Sequence, residues 1–313
     1  MAFRFIDFPV AHDDLRADVL AGLSAQPKAI PPKYFYDTAG CRLFESICAQ
    51  PEYVLCRTER ALMAACLPEI AAAVGAVDCV IEPGAGDCVK IRAVLDALRP
   101  QHLLVIDIAG ESLAVAAEAL AGAYPGIAVT ALGMDFIDKL EAAAPYLAPG
   151  RRLVYYPGSS IGNFSPAEAT ALLARFHALA GAGGQLLIGF DLKKDPDALH
   201  RAYNDAAGVT AAFNLNLLAR LNRELDADFD LTRFRHYAFY NPAAGRIEMH
   251  LVSLAEQRVS VSGQTFRFAP GETLHTENSY KYRPDEFETV AASAGWRLRN
   301  GWELDGFGVQ LYA

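Results

Sequence analysis

The first pattern suited to ligand chemistry is a glycine-rich turn between an apolar run and a helix-like segment. The run Cys79-Val80-Ile81 predicts a buried strand, Glu82-Pro83 ends it, and Gly84-Ala85-Gly86 follows. Glycine permits strained backbone angles and lets a ligand approach the main chain closely. Asp87 stands where the N-cap of the next helix is expected. A strand, such a turn and a helix typically open a nucleotide-binding unit, although ordinary connections use similar turns.

Two later acids indicate which nucleotide-like ligand suits the turn. The dinucleotide fingerprint needs a third glycine where this chain has Val89, and no Gly-Lys-Ser/Thr of a phosphate loop follows. Asp107, at the end of the next predicted strand, could accept both hydroxyls of a ribose, while Asp135 and Phe136 could hold an adenine. This arrangement is expected of an S-adenosylmethionine (SAM) methyltransferase and disfavours an NAD-dependent oxidoreductase. Each acid alone could equally cap the helix that follows it.

A third pattern is the loop 155–164, which follows the fourth predicted strand. It should lie at the carboxyl edge of the sheet, where open α/β folds bind ligands. Asn163 could grip the polar head of a substrate, or it could be a second capping residue beside Ser165. Ser165-Pro166-Ala167-Glu168 predicts a helix start with a capping box.

Strand-like and helix-like segments alternate up to residue 192, which predicts βαβ units and a parallel sheet with helices on both faces. Pro68 should kink or split the first helix. The region 194–283 has a different rhythm, a long helical stretch followed by antiparallel strands. The predicted strands are 79–82, 102–108, 127–132, 152–156, 185–192, 234–240, 246–254, 257–262, 265–268, 296–303 and 306–312, and the predicted helices are 58–74, 88–98, 111–123, 136–146, 166–180, 197–225 (broken near Gly208) and 284–294.

Composition and charge indicate which partners and cellular locations are expected. The 313 residues are 52% apolar and 21% charged, as in folded globular proteins, and the net charge of −9 disfavours nucleic acid as a partner. The N-terminal segment lacks the apolar core of a signal peptide and no stretch approaches membrane-spanning length, so we expect no membrane association. The six cysteines lie in the first third without metal-ligand spacing. We therefore expect reduced thiols, no metal and a cytoplasmic location.

Taken together, several stretches resemble the bacterial histidine Nα-methyltransferases of ergothioneine biosynthesis. The most specific are the loop YYPGSSIGNFSPAEA and the helical stretch DALHRAYNDAAGVTAAFNLNLLARLNRELDADFD. The others are PPKYFYDTAGCRLFESICAQPEYVLCRTE, RIEMHL and HTENSYKYRP. The glycine-rich turn departs from the family's usual Leu-Gly-Ser-Gly-Thr, but Pro83-Gly84-Ala85-Gly86-Asp87 keeps both glycines.

The resemblance implies an α/β fold with a Rossmann-like class I methyltransferase sheet and a second, smaller α+β substrate-binding domain. The methyltransferase domain would comprise 57–193 and 284–313, and the substrate-binding domain 1–56 and 194–283. The implied reaction is SAM-dependent trimethylation of the α-amino group of L-histidine to hercynine. The alternative is the same fold acting on a different amino acid or small amine, and a non-catalytic SAM-binding protein is disfavoured.

The resemblance also assigns residues. The implied SAM contacts are Tyr53, Gly84, Lys90, Asp107, Asp135 and Phe136. The implied contacts of histidine and its partly methylated forms are Tyr36, Tyr53, Gly158, Asn163, Tyr203, Met249, Glu277 and Ser279, with Tyr36 and Asn163 as the catalytic pair. We expect a monomer without nucleic-acid or membrane partners.

Overall fold

A computed structural model describes residues 3–8 and 12–313 of the chain, which divides into two compact units. Unit 1 contains the first strand, Leu55–Lys193 and Lys281–Ala313. Unit 2 contains the first helix, the chain from there to Val54, and Lys194–Tyr280. Each unit is therefore assembled from segments that are distant in sequence.

Unit 1 is built on one eight-stranded sheet in the order β1-β5-β4-β3-β6-β7-β14-β13. Its strands are β1 (Phe3–Asp7), β3 (Cys79–Pro83), β4 (His102–Asp107), β5 (Ala128–Gly133), β6 (Arg152–Tyr156), β7 (Gln185–Asp191), β13 (Leu298–Leu304) and β14 (Phe307–Tyr312). Its helices are α3 (Leu55–Val74), α4 (Ile91–Leu98), α5 (Gly110–Ala123), α6 (Phe136–Lys139), α7 (Pro166–Ala180) and α10 (Pro284–Ser293), with 3₁₀ turns at Leu140–Tyr146 and Ser160–Asn163.

The parallel strands of this sheet form the core of unit 1. Every residue of β3, β7 and β14 is buried, as expected for strands covered on both faces. The six strands β1, β3, β4, β5, β6 and β7 pair in parallel, whereas β14 and β13 run antiparallel to their neighbours. This topology confirms the predicted α/β class with a parallel-dominated sheet.

Four features of unit 1 differ from the sequence predictions. β1 pairs with β5 and extends this sheet, whereas 1–56 was assigned to the other domain. α4 begins at Ile91 with Lys90 before it, so Asp87 is not its N-cap; the Asp87 carboxylate instead accepts the Val89 N–H at 3.0 Å. α3 continues through Pro68 unbroken, because its buried face packs along the sheet. The helix predicted at 136–146 is a short helix and a 3₁₀ turn.

Unit 2 is an α+β arrangement around a four-stranded sheet in the order β2-β12-β9-β8. β10 and β11 form a separate hairpin. The strands are β2 (Lys28–Ala29), β8 (Phe234–Asn241), β9 (Arg246–Ser253), β10 (Gln257–Val261), β11 (Gln264–Phe268) and β12 (Thr273–Tyr280); the helices are α1 (His12–Ser24), α2 (Thr38–Cys48), α8 (Pro196–Ala202) and α9 (Val209–Glu224), with 3₁₀ turns at Pro32–Phe35 and Leu231–Arg233.

Helix α9 is the central helix of unit 2 because it packs on β8, β9 and α2. Its N-terminus is set by Asp205, whose carboxylate accepts the N–H groups of Val209 and Thr210 at 2.7 and 2.8 Å. α1 and β12 were not predicted. Within the described residues, no helix is long and apolar enough to cross a membrane.

Candidate active site

The glycine-rich turn of unit 1 has the backbone geometry that requires glycine. Gly84 and Gly86 have φ of 71° and 54°, in the left-handed region that other residues adopt at a cost. The Gly84 and Ala85 N–H groups donate to the Ile106 carbonyl at 2.7 and 3.1 Å, which fixes the turn against β4. A Cβ on Gly84 would lie 3.7 Å from the Phe136 ring. The turn and Phe136, both predicted to contact SAM, therefore lie together.

Asp107 joins this turn to the loop that follows β4. Its Oδ2 accepts the Gly86 N–H at 2.8 Å and its Oδ1 accepts the Ala109 N–H at 2.9 Å. Burial raises the pKa of the Asp107 carboxyl, and the backbone donors partly oppose that rise. Each carboxylate oxygen keeps a second lone pair that a ligand hydroxyl could use.

Asp135 caps the helix that follows it, which was the alternative to a role in holding adenine. It is buried, and its Oδ1 accepts the Ile137 N–H at 2.9 Å at the start of α6. The neighbouring Phe136 ring packs edge-on against Tyr156 at 6.1 Å between centroids. Asp135 and Phe136 therefore stand together at the carboxyl end of β5.

Glu59 on α3 connects two of the predicted site residues and was not predicted itself. Its Oε2 forms an ion pair with Lys90 Nζ at 2.7 Å, and its Oε1 accepts the Gly158 N–H at 2.6 Å. Gly158 has φ of 81°, and a Cβ there would lie 2.7 Å from Lys90 Nζ. A carboxylate in a helix interior carries no sequence pattern of its own, so only the tertiary contact identifies it.

Glu82 provides an independent indication that a polar ligand belongs beside the glycine-rich turn. It is 1% exposed, and its Oε2 has no hydrogen-bond partner within the part of the chain that is described. Burial raises the pKa of Glu82 well above its usual value, and the nearby Lys90 opposes that rise. A buried carboxyl oxygen without a partner costs free energy unless a ligand satisfies it. The ammonium group of SAM has N–H donors that could satisfy this oxygen.

The loop that carries Asn163 is fixed to the end of β7. Ser159 has φ of 63°, and its Oγ accepts the Asp191 N–H at 2.9 Å. Asp191 in turn forms a buried ion pair with Lys281 at 3.0 Å. Asn163 ends the 3₁₀ turn of this loop at the carboxyl edge of the sheet. The capping box of Ser165 and Glu168 is confirmed.

In unit 2, the structure brings together the predicted histidine contacts on β9, β12 and the α8–α9 loop. The Tyr203 hydroxyl donates to Ser279 Oγ at 2.8 Å, and both side chains are buried. The Tyr53 ring packs edge-on against Tyr203 at 5.9 Å. Met249 on β9 lies directly opposite Glu277 on β12. The sheet thus presents a thioether, a carboxylate and a hydroxyl on one face.

Tyr36 follows the first 3₁₀ turn of unit 2, and its ring packs edge-on against Phe44 and Phe213, each at 5.9 Å. The next residue, Asp37, caps α2 through the Gly40 N–H at 2.7 Å and forms an ion pair with Arg223 on α9 at 2.6 Å. The opposing effects of burial and these donors leave the pKa of Asp37 below its usual value. Tyr36 therefore stands on a segment anchored to α9.

The opposite face of the same sheet carries Glu248, His250 and His275, whose potential ligand atoms lie within 4.8 Å of one another. The two imidazoles stack at 4.7 Å with an interplanar angle of 23°, and Arg246 forms an ion pair with Glu248 at 2.8 Å. Because nitrogen lone pairs lie in the ring plane, stacked rings do not direct them at one ion. This geometry favours ring stacking over metal binding.

Comparisons with known proteins agree with this chemistry. A sequence model of the family described as "Histidine-specific methyltransferase, SAM-dependent" matches residues 15–313. Histidine N-alpha-methyltransferase of Mycolicibacterium smegmatis is 44% identical over 309 residues, covering 96% of this chain and 95% of that protein.

Two more distant relatives have other names. Ergothioneine biosynthesis protein 1 of Neurospora crassa is 26% identical, covering 92% of this chain and 33% of that protein. 4-Dimethylallyltryptophan N-methyltransferase of Claviceps purpurea is also 26% identical, covering 99% of this chain and 98% of that protein. Because the family model spans nearly the whole chain and the bacterial relative is 44% identical, this chain belongs to the SAM-dependent, histidine-specific methyltransferase family.

Proposed function

We propose that this enzyme transfers three methyl groups from SAM to the α-amino nitrogen of free L-histidine and so forms hercynine for ergothioneine biosynthesis. The observation that carries the substrate assignment is the face of unit 2 that pairs Met249 with Glu277 and joins Ser279 to Tyr203. A carboxylate, a hydroxyl and an apolar side chain suit an imidazole, which has two ring nitrogens and two apolar faces.

SAM, when bound, supplies a methyl group on a positively charged sulfur. The residues proposed to hold it are the SAM contacts assigned above, Tyr53 among them. Gly84 admits the ligand to the main chain, Asp107 accepts ribose hydroxyls through its remaining lone pairs, and Phe136 packs against adenine. Glu82 Oε2, which has no hydrogen-bond partner among the described residues, supports this assignment.

Methyl transfer needs a neutral amine held in line with the methyl group, so positioning contributes most of the catalysis. The α-ammonium group of free histidine must lose a proton before the nitrogen can attack, so the site must favour the neutral amine. Asn163 would hold the α-carboxylate, and Tyr203 would do so by turning its single hydroxyl proton from Ser279 Oγ to a carboxylate oxygen. Tyr36 and Tyr53 would orient the amine, and their rings tolerate the developing cationic ammonium.

Specificity would come from the imidazole contacts. Glu277 would accept the ring N–H, Ser279 would bond the other nitrogen, and Met249 would pack against the ring. A site built to hydrogen-bond two ring nitrogens rejects side chains that leave those groups unpaired. This arrangement favours histidine over apolar amino acids.

The second candidate is the same reaction on a different amino acid or small amine. A relative with 26% identity is named for 4-dimethylallyltryptophan, so the fold serves other amino acids. The purified enzyme should be incubated with SAM and a panel of amino acids, and the product masses measured. We expect histidine to gain one, two and then three methyl groups. Methylation of another amino acid in preference to histidine would contradict the proposal.

We also propose that the enzyme works as a monomer in the cytoplasm without nucleic-acid or membrane partners. Its net charge of −9 supports the absence of a nucleic-acid partner. Burial raises the pKa of Cys79 to about 11 and that of Cys88 to about 12, which keeps both as protonated thiols. Light scattering at several protein concentrations tests the oligomeric state.

A further inference from the structure

The residues proposed to bind the imidazole depend on an irregularity in β12. His275 pairs with His250 of β9, but Glu277 pairs with Met249, so two steps along β12 correspond to one step along β9. Thr276 is the extra residue of a β-bulge. Without the bulge, Glu277 would lie on the same face as His275, because side chains alternate along a strand. The bulge moves Glu277 to the face of Met249.

The same shift places Ser279 opposite Ile247, on the face that carries Met249. There its Oγ accepts the Tyr203 hydroxyl at 2.8 Å. A one-residue slip in register exchanges the two faces of a strand. Whatever holds the bulge therefore decides whether the carboxylate and the hydroxyl can face the substrate.

The bulge is held by a hydrogen bond to α9. Thr276 is 1% exposed, and its Oγ1 lies 2.8 Å from Asn214 Oδ1 and 3.1 Å from the Met249 carbonyl. Asn214 is fully buried in the middle of α9. From the other face, His275 Nε2 lies 3.0 Å from the Glu277 carbonyl. The extra residue is thus fixed on both sides.

Both N–H groups of the Asn214 amide form hydrogen bonds. Its Nδ2 donates to the His250 carbonyl at 3.0 Å and to His236 Nδ1 at 2.9 Å. His236 Nε2 lies 2.9 Å from the Tyr203 carbonyl and so carries the ring proton. Thr276, Asn214 and His236 therefore connect the bulge to the main chain of Tyr203.

We propose that Asn214 and Thr276 are positioning residues for the substrate: their hydrogen bond holds the bulge that turns Glu277 and Ser279 toward the face of Met249 and Tyr203. Neither residue contacts histidine in this assignment. The inference rests on the proposed function, since it assumes that Glu277 and Ser279 bind the imidazole. It adds that imidazole recognition depends on a buried network on α9.

The test replaces Thr276 by valine, which keeps the shape and removes the hydroxyl, and by serine, which keeps the hydroxyl. We expect Thr276→Val to raise the KM for histidine about tenfold, equivalent to ~1.4 kcal/mol, with a much smaller change in kcat. The dissociation constant for SAM, measured by calorimetry, should not change. Thr276→Ser should restore the wild-type KM.

The matched control is Ser253→Ala, which removes a buried hydroxyl at the other end of β9 that donates to the Ala255 carbonyl at 2.8 Å. It should leave the KM for histidine unchanged. A second readout is the ratio of the dissociation constants for leucine and histidine, which should fall in Thr276→Val because the lost contacts are specific to imidazole. A loss of general stability alone would not change that ratio.

Asn214→Leu removes all three amide hydrogen bonds and should raise the KM for histidine in the same way; it takes the place of Thr276→Val if that variant does not fold. A folded Thr276→Val enzyme with wild-type KM, or an equal loss in Ser253→Ala, would overturn the inference. Failure of the wild-type enzyme to methylate histidine would contradict the proposed function instead. The two failures are therefore distinguishable.

Discussion

At the scale of single residues, the proposed SAM contacts include side chains that already form hydrogen bonds within the protein. Asp107 accepts two backbone N–H groups, yet an ionised carboxylate offers about four lone-pair sites. The same oxygens can therefore hold the loops and accept hydroxyls from a ligand. The proposed binding role of Asp107 therefore has to be separated from its structural role by experiment.

For Asp107, we predict that both Asp107→Asn and Asp107→Ala raise the dissociation constant for SAM, and that alanine has the larger effect. Asparagine keeps one acceptor oxygen, whereas alanine also leaves the Gly86 and Ala109 N–H groups unpaired, at about 1–3 kcal/mol for an unsatisfied buried group. Calorimetric titration with SAM measures the effect. An unchanged dissociation constant in Asp107→Asn would restrict Asp107 to holding the loops.

For Glu277, we predict that Glu277→Ala lowers kcat/KM for histidine by about ten- to hundredfold, as expected for losing a hydrogen bond to a charged acceptor. Binding of SAM should be affected far less, because Glu277 is assigned to the imidazole alone. Steady-state kinetics and calorimetry provide the two values, and exposed Glu303→Ala is the control. Equal losses for histidine and SAM would contradict the role of Glu277.

For Gly158, we predict that substitution by alanine weakens SAM binding, an effect not expected of an ordinary glycine in a left-handed turn. Gly158→Ala and Gly183→Ala both place a side chain at positive φ, at a cost of about 1–2 kcal/mol. Only at position 158 does the new Cβ meet Lys90 Nζ, whereas nothing lies within 4 Å at position 183. Displacing Lys90 would disturb its ion pair with Glu59.

Both variants should therefore lose stability in urea unfolding through the backbone cost that they share, but only Gly158→Ala should bind SAM more weakly. The matched control, Gly183→Ala, accounts for the backbone cost shared by the two. Similar SAM dissociation constants for the two variants would show that the contact of Lys90 with Glu59 and Gly158 does not contribute to cofactor binding.

At the scale of elements, helices and strands with regular local signals could be predicted from the sequence. Irregular elements that are held by tertiary contacts could not. α7 was predicted to the residue because Ser165, Pro166 and Glu168 give local start signals. β12 was missed because its sequence, TLHTENSY, is polar and its bulge interrupts the alternation. α3 passes through Pro68 because tertiary packing outweighs a local penalty.

The proposed site residues differ in the same way in how far the sequence alone could indicate them. Asp107 and Asp135 could be proposed as ligand contacts because strand ends of a parallel sheet meet at one edge. Glu59 and Asn214 lie inside helices, where a polar residue alone does not reveal its partner. Met249, Glu277 and Ser279 were assigned only through family resemblance, because isolated side chains on strands carry no pattern.

The four-stranded sheet should make unit 2 sensitive to mild acid. Burial lowers the pKa of His236, His250 and His275 below 6.5. The folded protein then binds fewer protons than the unfolded chain, so stability is complete above pH 6.5 and declines as pH falls toward the folded pKa values. His236 is the most constrained of the three, because protonating Nδ1 would oppose the Asn214 N–H donor.

We therefore expect the urea midpoint of unfolding to fall between pH 7.5 and 5.5, before most carboxylates titrate. NMR titration of the imidazole resonances gives the three folded pKa values directly. A constant midpoint over this range, or imidazoles that titrate at or above 6.5, would contradict the assignment. A variant of exposed His177, outside unit 2, controls for surface histidines.

At the scale of the whole molecule, each unit is assembled from separate segments of the chain. The predicted SAM contacts Gly84, Lys90, Asp107, Asp135 and Phe136 belong to unit 1. Six of the eight predicted histidine contacts belong to unit 2, namely Tyr36, Tyr53, Tyr203, Met249, Glu277 and Ser279. Cofactor and substrate binding can therefore be observed in different peptides of one intact protein.

Hydrogen–deuterium exchange of the full chain, analysed by peptide mass spectrometry, should show this division. SAM alone should slow exchange in 84–90 and 107–110, because it orders the glycine-rich turn and the loop that Asp107 holds. Histidine, added to protein and S-adenosylhomocysteine so that no methyl transfer occurs, should further slow exchange in 273–280, in 202–208 and in the loop 157–164. Leucine at the same concentration is the control and should leave 273–280 unchanged. Protection by histidine that spared β12 would contradict the assignment of Glu277 and Ser279 as its imidazole contacts.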